Sequence, residues 1–180
     1  MAITRLGGAN AISGTIPQGN IANASLGAVT ALPAAISTGK VLQVVNGLTY
    51  TKVQSTSATY ADTGLSASIT PSSTSNKILV IISQNMVKSA DNTYGGLKLL
   101  RNSTELGFIG DLICYTGTSN YSTDSASASF FDNPSSTSSL TYKTQFANVP
   151  ATGTIDVQAD SSSSTERGRG SITLMEIEIW

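Results

Sequence analysis

Glu176 and Glu178 alternate within the closing segment Ser171–Trp180. On an extended strand, side chains two residues apart share a face, so this spacing suits an acid–base couple of the glycosidase kind. It is the nearest approach to catalytic chemistry in the chain, and the residues favour the plainer reading of a solvated strand end. There is no histidine, which removes Ser–His and Cys–His nucleophiles and the commonest metal ligand. No G-x-S-x-G, P-loop or G-x-G-x-x-G pattern occurs. Gly168-Arg169-Gly170 leads into a strand-like run and not a helix, so it makes no phosphate cradle. The single cysteine lies in Leu112-Ile113-Cys114-Tyr115. It reads as a small buried hydrophobe and forms no intramolecular disulfide. Asp156 and Asp160 flank a strand edge, and the other acids are isolated without EF-hand spacing. The expectation is a protein that is not an enzyme, with no cofactor and no metal.

Composition narrows the partners. Of 180 residues only 12% are charged, and the net charge is −1. No basic stripe predicts nucleic-acid binding. No polybasic cluster predicts a membrane surface, and the longest apolar run, Ile78–Ile82, is far too short for a helical span. Met1–Gly8 is not followed by an apolar run of signal-peptide length, so synthesis in the cytoplasm is expected. Glu166-Arg167-Gly168-Arg169-Gly170 follows Ser161-Ser162-Ser163-Ser164 and reads as a solvated loop tip. The triplets at Asn23, Asn102 and Asn120 are chance matches to the glycosylation pattern in a chain more than a quarter Ser and Thr.

The elements that must position any site are strands. From Lys40 onward, short β-rich runs are separated by Ser, Thr, Asn, Gly and Pro. Val41–Val45 and Leu48–Val53 flank Asn46-Gly47, a dipeptide suited to a tight primed turn. Leu65–Ile69 alternates cleanly. Lys77–Val87 is the strongest strand. Leu97–Arg101 and Glu105–Ile109 flank a hairpin connection at Asn102-Ser103-Thr104. Asp111–Tyr115, Ser125–Phe131, Leu140–Ala147, Thr154–Ala159 and Ser171–Trp180 complete the series. Short strands with turn chemistry between them, and no capped 3.6-residue period, predict an all-β antiparallel sandwich or barrel.

Two strands are apolar on both faces. Lys77–Val87 shows Ile78, Val80, Ile82 and Met86 on one side and Leu79, Ile81 and Val87 on the other. The closing strand sets Ile172 and Leu174 against Met175, Ile177 and Ile179. An antiparallel sheet of a solitary sandwich keeps one face wet. Cover for the second face comes from another subunit or from a long loop. Leu140, Tyr142 and Phe146 share a face that suits core and interface alike. The candidate interface residues are Leu79, Ile81, Val87, Tyr142, Phe146, Met175 and Ile177.

Residues 1–39 differ from everything after them. They carry one charged side chain, Arg5, and no aromatic ring. Apolar residues recur at Ile12, Ile16, Ile21, Leu26, Val29, Leu32 and Ile36 with gaps that fit neither helix nor strand, and Gly and Pro interrupt them. Such a segment has no core of its own and little charge to keep it dissolved. It reads as an extended N-terminal anchoring arm, residues 1–39, on a head of residues 40–180, with the seven apolar residues as its anchors.

Several runs carry a family resemblance. Ile12-Ser13-Gly14-Thr15-Ile16-Pro17, Asn20-Ile21-Ala22-Asn23 and Val29-Thr30-Ala31-Leu32-Pro33 resemble the attachment segment of structural proteins of tailed bacteriophages, cyanophages among them. Gly39-Lys40-Val41-Leu42-Gln43-Val44-Val45 resembles the start of their folded head. Tyr60-x-Asp62-Thr63-Gly64-Leu65, Asn76-Lys77-Ile78-Leu79-Val80 and Gly96-Leu97-Lys98-Leu99-Leu100-Arg101 are similar to the same group. The resemblance implies a trimeric jelly-roll head like that of the C1q and tumour-necrosis-factor proteins, at the virion surface. The implied partners are its own copies and other virion proteins. As a capsid decoration (cement) protein it would dock on the major capsid protein. As a short tail fibre or spike it would join tail proteins and touch the host. Shaft-forming fibres carry long repeats or heptads, which this chain lacks. An arm of this length reaches at most about 140 Å, which suits docking on a nearby shell.

Overall fold

The computed structural model describes residues 40–159 and 168–179. The arm reading of residues 1–39, with Ile12, Ile16, Ile21, Leu26, Val29, Leu32 and Ile36, therefore lies outside the described residues, as do Glu166 and Arg167. The described residues belong to one compact unit, Gly39–Trp180.

The described residues form ten strands: β1 (Val41–Thr49), β2 (Val53–Ser55), β3 (Ala61–Ile69), β4 (Lys77–Lys88), β5 (Gly95–Arg101), β6 (Thr104–Ile113), β7 (Ser122–Asp132), β8 (Leu140–Asn148), β9 (Ile155–Val157) and β10 (Gly170–Ile177). The antiparallel pairs are nested. β5 pairs β6, β4 pairs β7, β3 pairs β8, β2 pairs β9 and β1 pairs β10. The described strands thus form one long hairpin rolled up on itself, which is the jelly-roll topology. Lateral pairs close the roll into two sheets. One runs β1-β10-β4 with β7 beyond β4 and the short β9 and β2 continuing it, and the other runs β3-β8-β5-β6.

Alternation explains what lies between the sheets. β4 turns Ile78, Val80, Ile82 and Met86 inward, β10 turns Ile172 and Leu174, β8 turns Tyr142 and Phe146, and β5 turns Leu97 and Leu99. These form two apolar clusters, and a polar seam divides them. On β4 the seam is Gln84, between Ile82 and Met86. On β8 it is Thr144, between Tyr142 and Phe146. Thr63 and Thr144 hydroxyls meet at 2.5 Å, and Thr144 Oγ1 donates to Gln84 Oε1 at 2.9 Å. A buried polar seam fixes register, because a strand slipped by two residues would set Gln84 or Thr144 among aliphatic side chains.

Two expectations need correction. Asn46-Gly47 makes no turn, because β1 runs straight through it. The glycine is there because β1 crosses close to β3: a Cβ at Gly47 would lie 2.2 Å from the Ser66 carbonyl oxygen. Asn46 meanwhile donates to Thr173 Oγ1 at 2.8 Å on β10. Gly47→Ala should therefore destabilise the head by about 2 kcal/mol through overpacking. A turn glycine would instead lose stability through backbone strain, and an unchanged denaturant midpoint would contradict this placement. The second correction concerns β6, where Glu105–Ile109 and Asp111 onward form one strand with shifted register, not two. It stops before Cys114, and Leu112 and Cys114 take positive φ values of 57° and 67°. The hairpin at Asn102 is as expected, with φ 54° at Asn102 and its side chain accepting from Thr141 N–H at 2.9 Å.

Candidate functional site

The outward faces of the two sheets differ in kind. On the second sheet, several outward cross-strand neighbours are polar pairs. Asp62 accepts from Lys143 Nζ and from Gln145 Nε2, each at 2.8 Å, and Ser68 meets Thr141 at 2.8 Å. Lys98 Nζ reaches Glu105 at 2.9 Å. Pairs of this sort sit comfortably in water.

The first sheet is different. Val44 on β1 stands opposite Met175 on β10, Met175 opposite Leu79 on β4, and Leu79 opposite Phe131 on β7. One register row across four strands is thus wholly apolar on the outside. Ile81 lies on the next row, Leu48 further along β1, and Ile177 beside Lys77 at the other end. Phe131 is 62% exposed, Val44 57% and Ile81 42%. Leu79, Met175 and Ile177, in mid-sheet, are half-buried by their neighbours. Scattered exposed apolar residues are ordinary, but a contiguous patch across a sheet marks an interaction surface.

The seven predicted interface residues divide accordingly. Leu79, Ile81, Met175 and Ile177 come together on this face. Tyr142 and Phe146 do not: both are wholly buried between the sheets. The Tyr142 hydroxyl donates to Asp132 Oδ2 at 2.6 Å, and Arg101 Nη1 lies 2.8 and 2.7 Å from the two Asp132 oxygens. Burial, with the Asp132 carboxylate beside it, raises the Tyr142 pKa well above its ordinary value. These two aromatics are core. Val87 has the parity of Leu79 and Ile81 but is 3% exposed, at the end of β4 where it stands opposite Asp156 and Thr123.

Two parts of the face were not singled out from sequence. Phe130-Phe131 sends one ring inward and one outward, and adjacent phenylalanines on an otherwise small-residue strand are the signal. Val44 and Leu48 were hidden by reading Asn46-Gly47 as a turn, which divides β1 and loses its outer face.

No protein-family model and no curated protein matches this chain. The candidate site therefore rests on its own geometry.

The chemistry-bearing residues are engaged elsewhere. Glu176 is wholly buried at the rim. It accepts from Gln43 Nε2 at 2.5 Å, from Ser72 N–H and Oγ at 2.7 Å each, and from Asn76 Nδ2 at 2.6 Å. Burial alone would raise its pKa, but the hydrogen bonds from Asn76, Gln43 and Ser72 outweigh it and hold the carboxyl down at about 2. Glu178 pairs with Lys40 at 3.8 Å, and its N–H donates to the Lys40 carbonyl. The two carboxylates thus fasten different segments. The buried Cys114 Sγ donates to the Met86 carbonyl at 3.1 Å, and burial pushes its pKa up to about 12, so it stays a thiol. Among the described residues no three His, Cys, Asp or Glu gather as a metal set. In Gly168-Arg169-Gly170 both glycines are buried, and a Cβ at Gly168 would meet Asn85 and Ala159.

Proposed function

We propose that this chain is a homotrimeric structural protein of a tailed-phage particle, a capsid decoration protein whose head self-associates through the apolar outer face of the β1-β10-β4-β7 sheet and whose residues 1–39 dock on the shell. The observation that carries the self-association is the unbroken apolar row Val44, Met175, Leu79 and Phe131, set against the polar outer face of the other sheet. Covering that row recovers about 25 cal/mol for each Å² of apolar surface removed from water. A closed ring of identical subunits covers it without leaving a sticky end. The number three and the virion setting come from the sequence resemblance. The low charge and the absence of heptads or long repeats favour a compact piece of a shell over a shaft.

Phage lacking the protein provides the test. A decoration protein binds the assembled lattice and stabilises it by mass action. Particles without it should adsorb normally and break at lower temperature or milder osmotic shock. Normal shell strength with lost adsorption would overturn the capsid placement and support a tail fibre or spike. Head protein lacking residues 2–36 should stay soluble but fail to decorate particles, and undiminished incorporation would show that the head itself docks.

A further inference from the structure

Beside the polar outer face of the second sheet, β6 carries two exposed apolar side chains, Phe108 and Leu112. Phe108 on β6 points outward opposite Lys98 and is 56% exposed. Its ring is braced on one side. Tyr60, just before β3, meets it edge-on, with centroids 6.1 Å apart and planes at 74°. Tyr60 is itself fixed. Lys98 Nζ sits 4.4 Å from its ring centroid, a cation–π contact. Its hydroxyl occupies the space over Gly96, where a Cβ would lie 2.1 Å from that oxygen. Gly96 stands opposite Ala147, so two adjacent strands present almost no side chain there and the ring can lie across them. Burial raises the Tyr60 pKa, and the neighbouring Asp111 and Glu105 carboxylates add to the effect.

We propose that Phe108 is the stacking platform of a binding site for an uncharged glycan. A pyranose ring presents a face of polarised C–H bonds, which fits the negative face of an aromatic ring, while its hydroxyls seek both donors and acceptors at the rim. The rim carries Glu105 and Asp111, on β6 either side of Phe108, and the donors Lys98 and Gln145, whose partners in the free protein are Glu105 and Asp62. A platform already held in place loses little freedom on binding. Charge decides against the other stacking ligands: a nucleic-acid strand needs free cations along its backbone, and here the two lysines, Lys98 and Lys143, are each paired with a carboxylate, Glu105 and Asp62, with Asp111 in excess. Size decides against a second copy. A stable interface buries roughly 800 Å² per partner around an apolar centre, and two rings amid ion pairs do not provide one. The site lies on the sheet opposite the proposed subunit interface and does not depend on it.

Affinity electrophoresis of the full chain tests this, in gels cast with dextran, laminarin, soluble starch or galactomannan, at low salt and at about 0.5 M NaCl, where ionic contacts are screened. At least one polysaccharide should retard the protein at both salt levels. Phe108→Ala should reduce the retardation at least tenfold in apparent affinity, and Glu105→Gln severalfold, while both keep the unfolding midpoint of the parent. Phe131→Ala, on the other sheet, should migrate in the glycan gels as the parent does. No retardation in any of the four gels would overturn the proposal. So would retardation that survives Phe108→Ala or vanishes at high salt, or preferential retardation by single-stranded DNA.

Discussion

Leu79→Asp should convert the assembled head into a folded monomer of 18.5 kDa. Leu79 lies at the centre of the apolar row, between Met175 and Phe131. In a free monomer Leu79 is only half-buried, so water reaches an aspartate there and the fold loses comparatively little. In an assembly the aspartate is a buried charge without a partner, which costs about 3 kcal/mol or more at each interface. That is over a hundredfold in association. The core survives, because Ile78 and Val80 still point inward. Ser66→Asp on the other sheet should leave the mass unchanged. Sedimentation of both variants reads the outcome. A Leu79→Asp protein that stays assembled would place the interface elsewhere.

Glu176→Gln should cost the head about 3 kcal/mol at neutral pH and remove a specific acid-sensitive step. The folded pKa is about 2 against an ordinary 4.5. A depressed carboxyl pKa contributes stability that is complete above 4.5 and is lost as pH falls from there towards 2. The gap corresponds to about 3 kcal/mol. In structural terms, the carboxylate ties Ser72 and Asn76 of the β3–β4 connection, and Gln43 of β1, to the end of β10. A glutamine would turn its own N–H groups towards these donors. Denaturant melts at fixed protein concentration should show the parent losing more stability between pH 4.5 and 2 than the variant, which keeps the smaller acid loss due to Asp62, a carboxyl also held below its ordinary pKa by Lys143. Coincident pH curves would contradict the latch.

The strands were legible because their periodicity is short-range physics. β3, β4, β5, β7, β8 and β10 fall within a few residues of their sequence readings. The doubly apolar character of β4 and β10 was legible for the same reason, and the fold lays these two strands side by side, so their second faces merge. Facing was harder. Leu140, Tyr142 and Phe146 alternate with Thr141, Lys143 and Gln145, and alternation says that one face is apolar without saying what it meets. Sheet assignment settles that: β8 lies in the second sheet, so its aromatic face can only turn inward. The polar seam had a faint signal, since the inward run Ile78, Val80, Ile82, Met86 skips Gln84. Asn46-Gly47 misled because a glycine required for close approach to Ser66 and one required for a turn look identical in sequence. The latch at Glu176 joins residues some hundred positions apart, and no local pattern encodes it.

On the reading proposed above, further copies of the chain cover the apolar face. Native mass measurement of the unmodified protein over a range of concentrations tests it most directly. The expected result is a single species of three times 18.5 kDa that persists on dilution. A stable, non-aggregating monomer of 18.5 kDa throughout that range would contradict it.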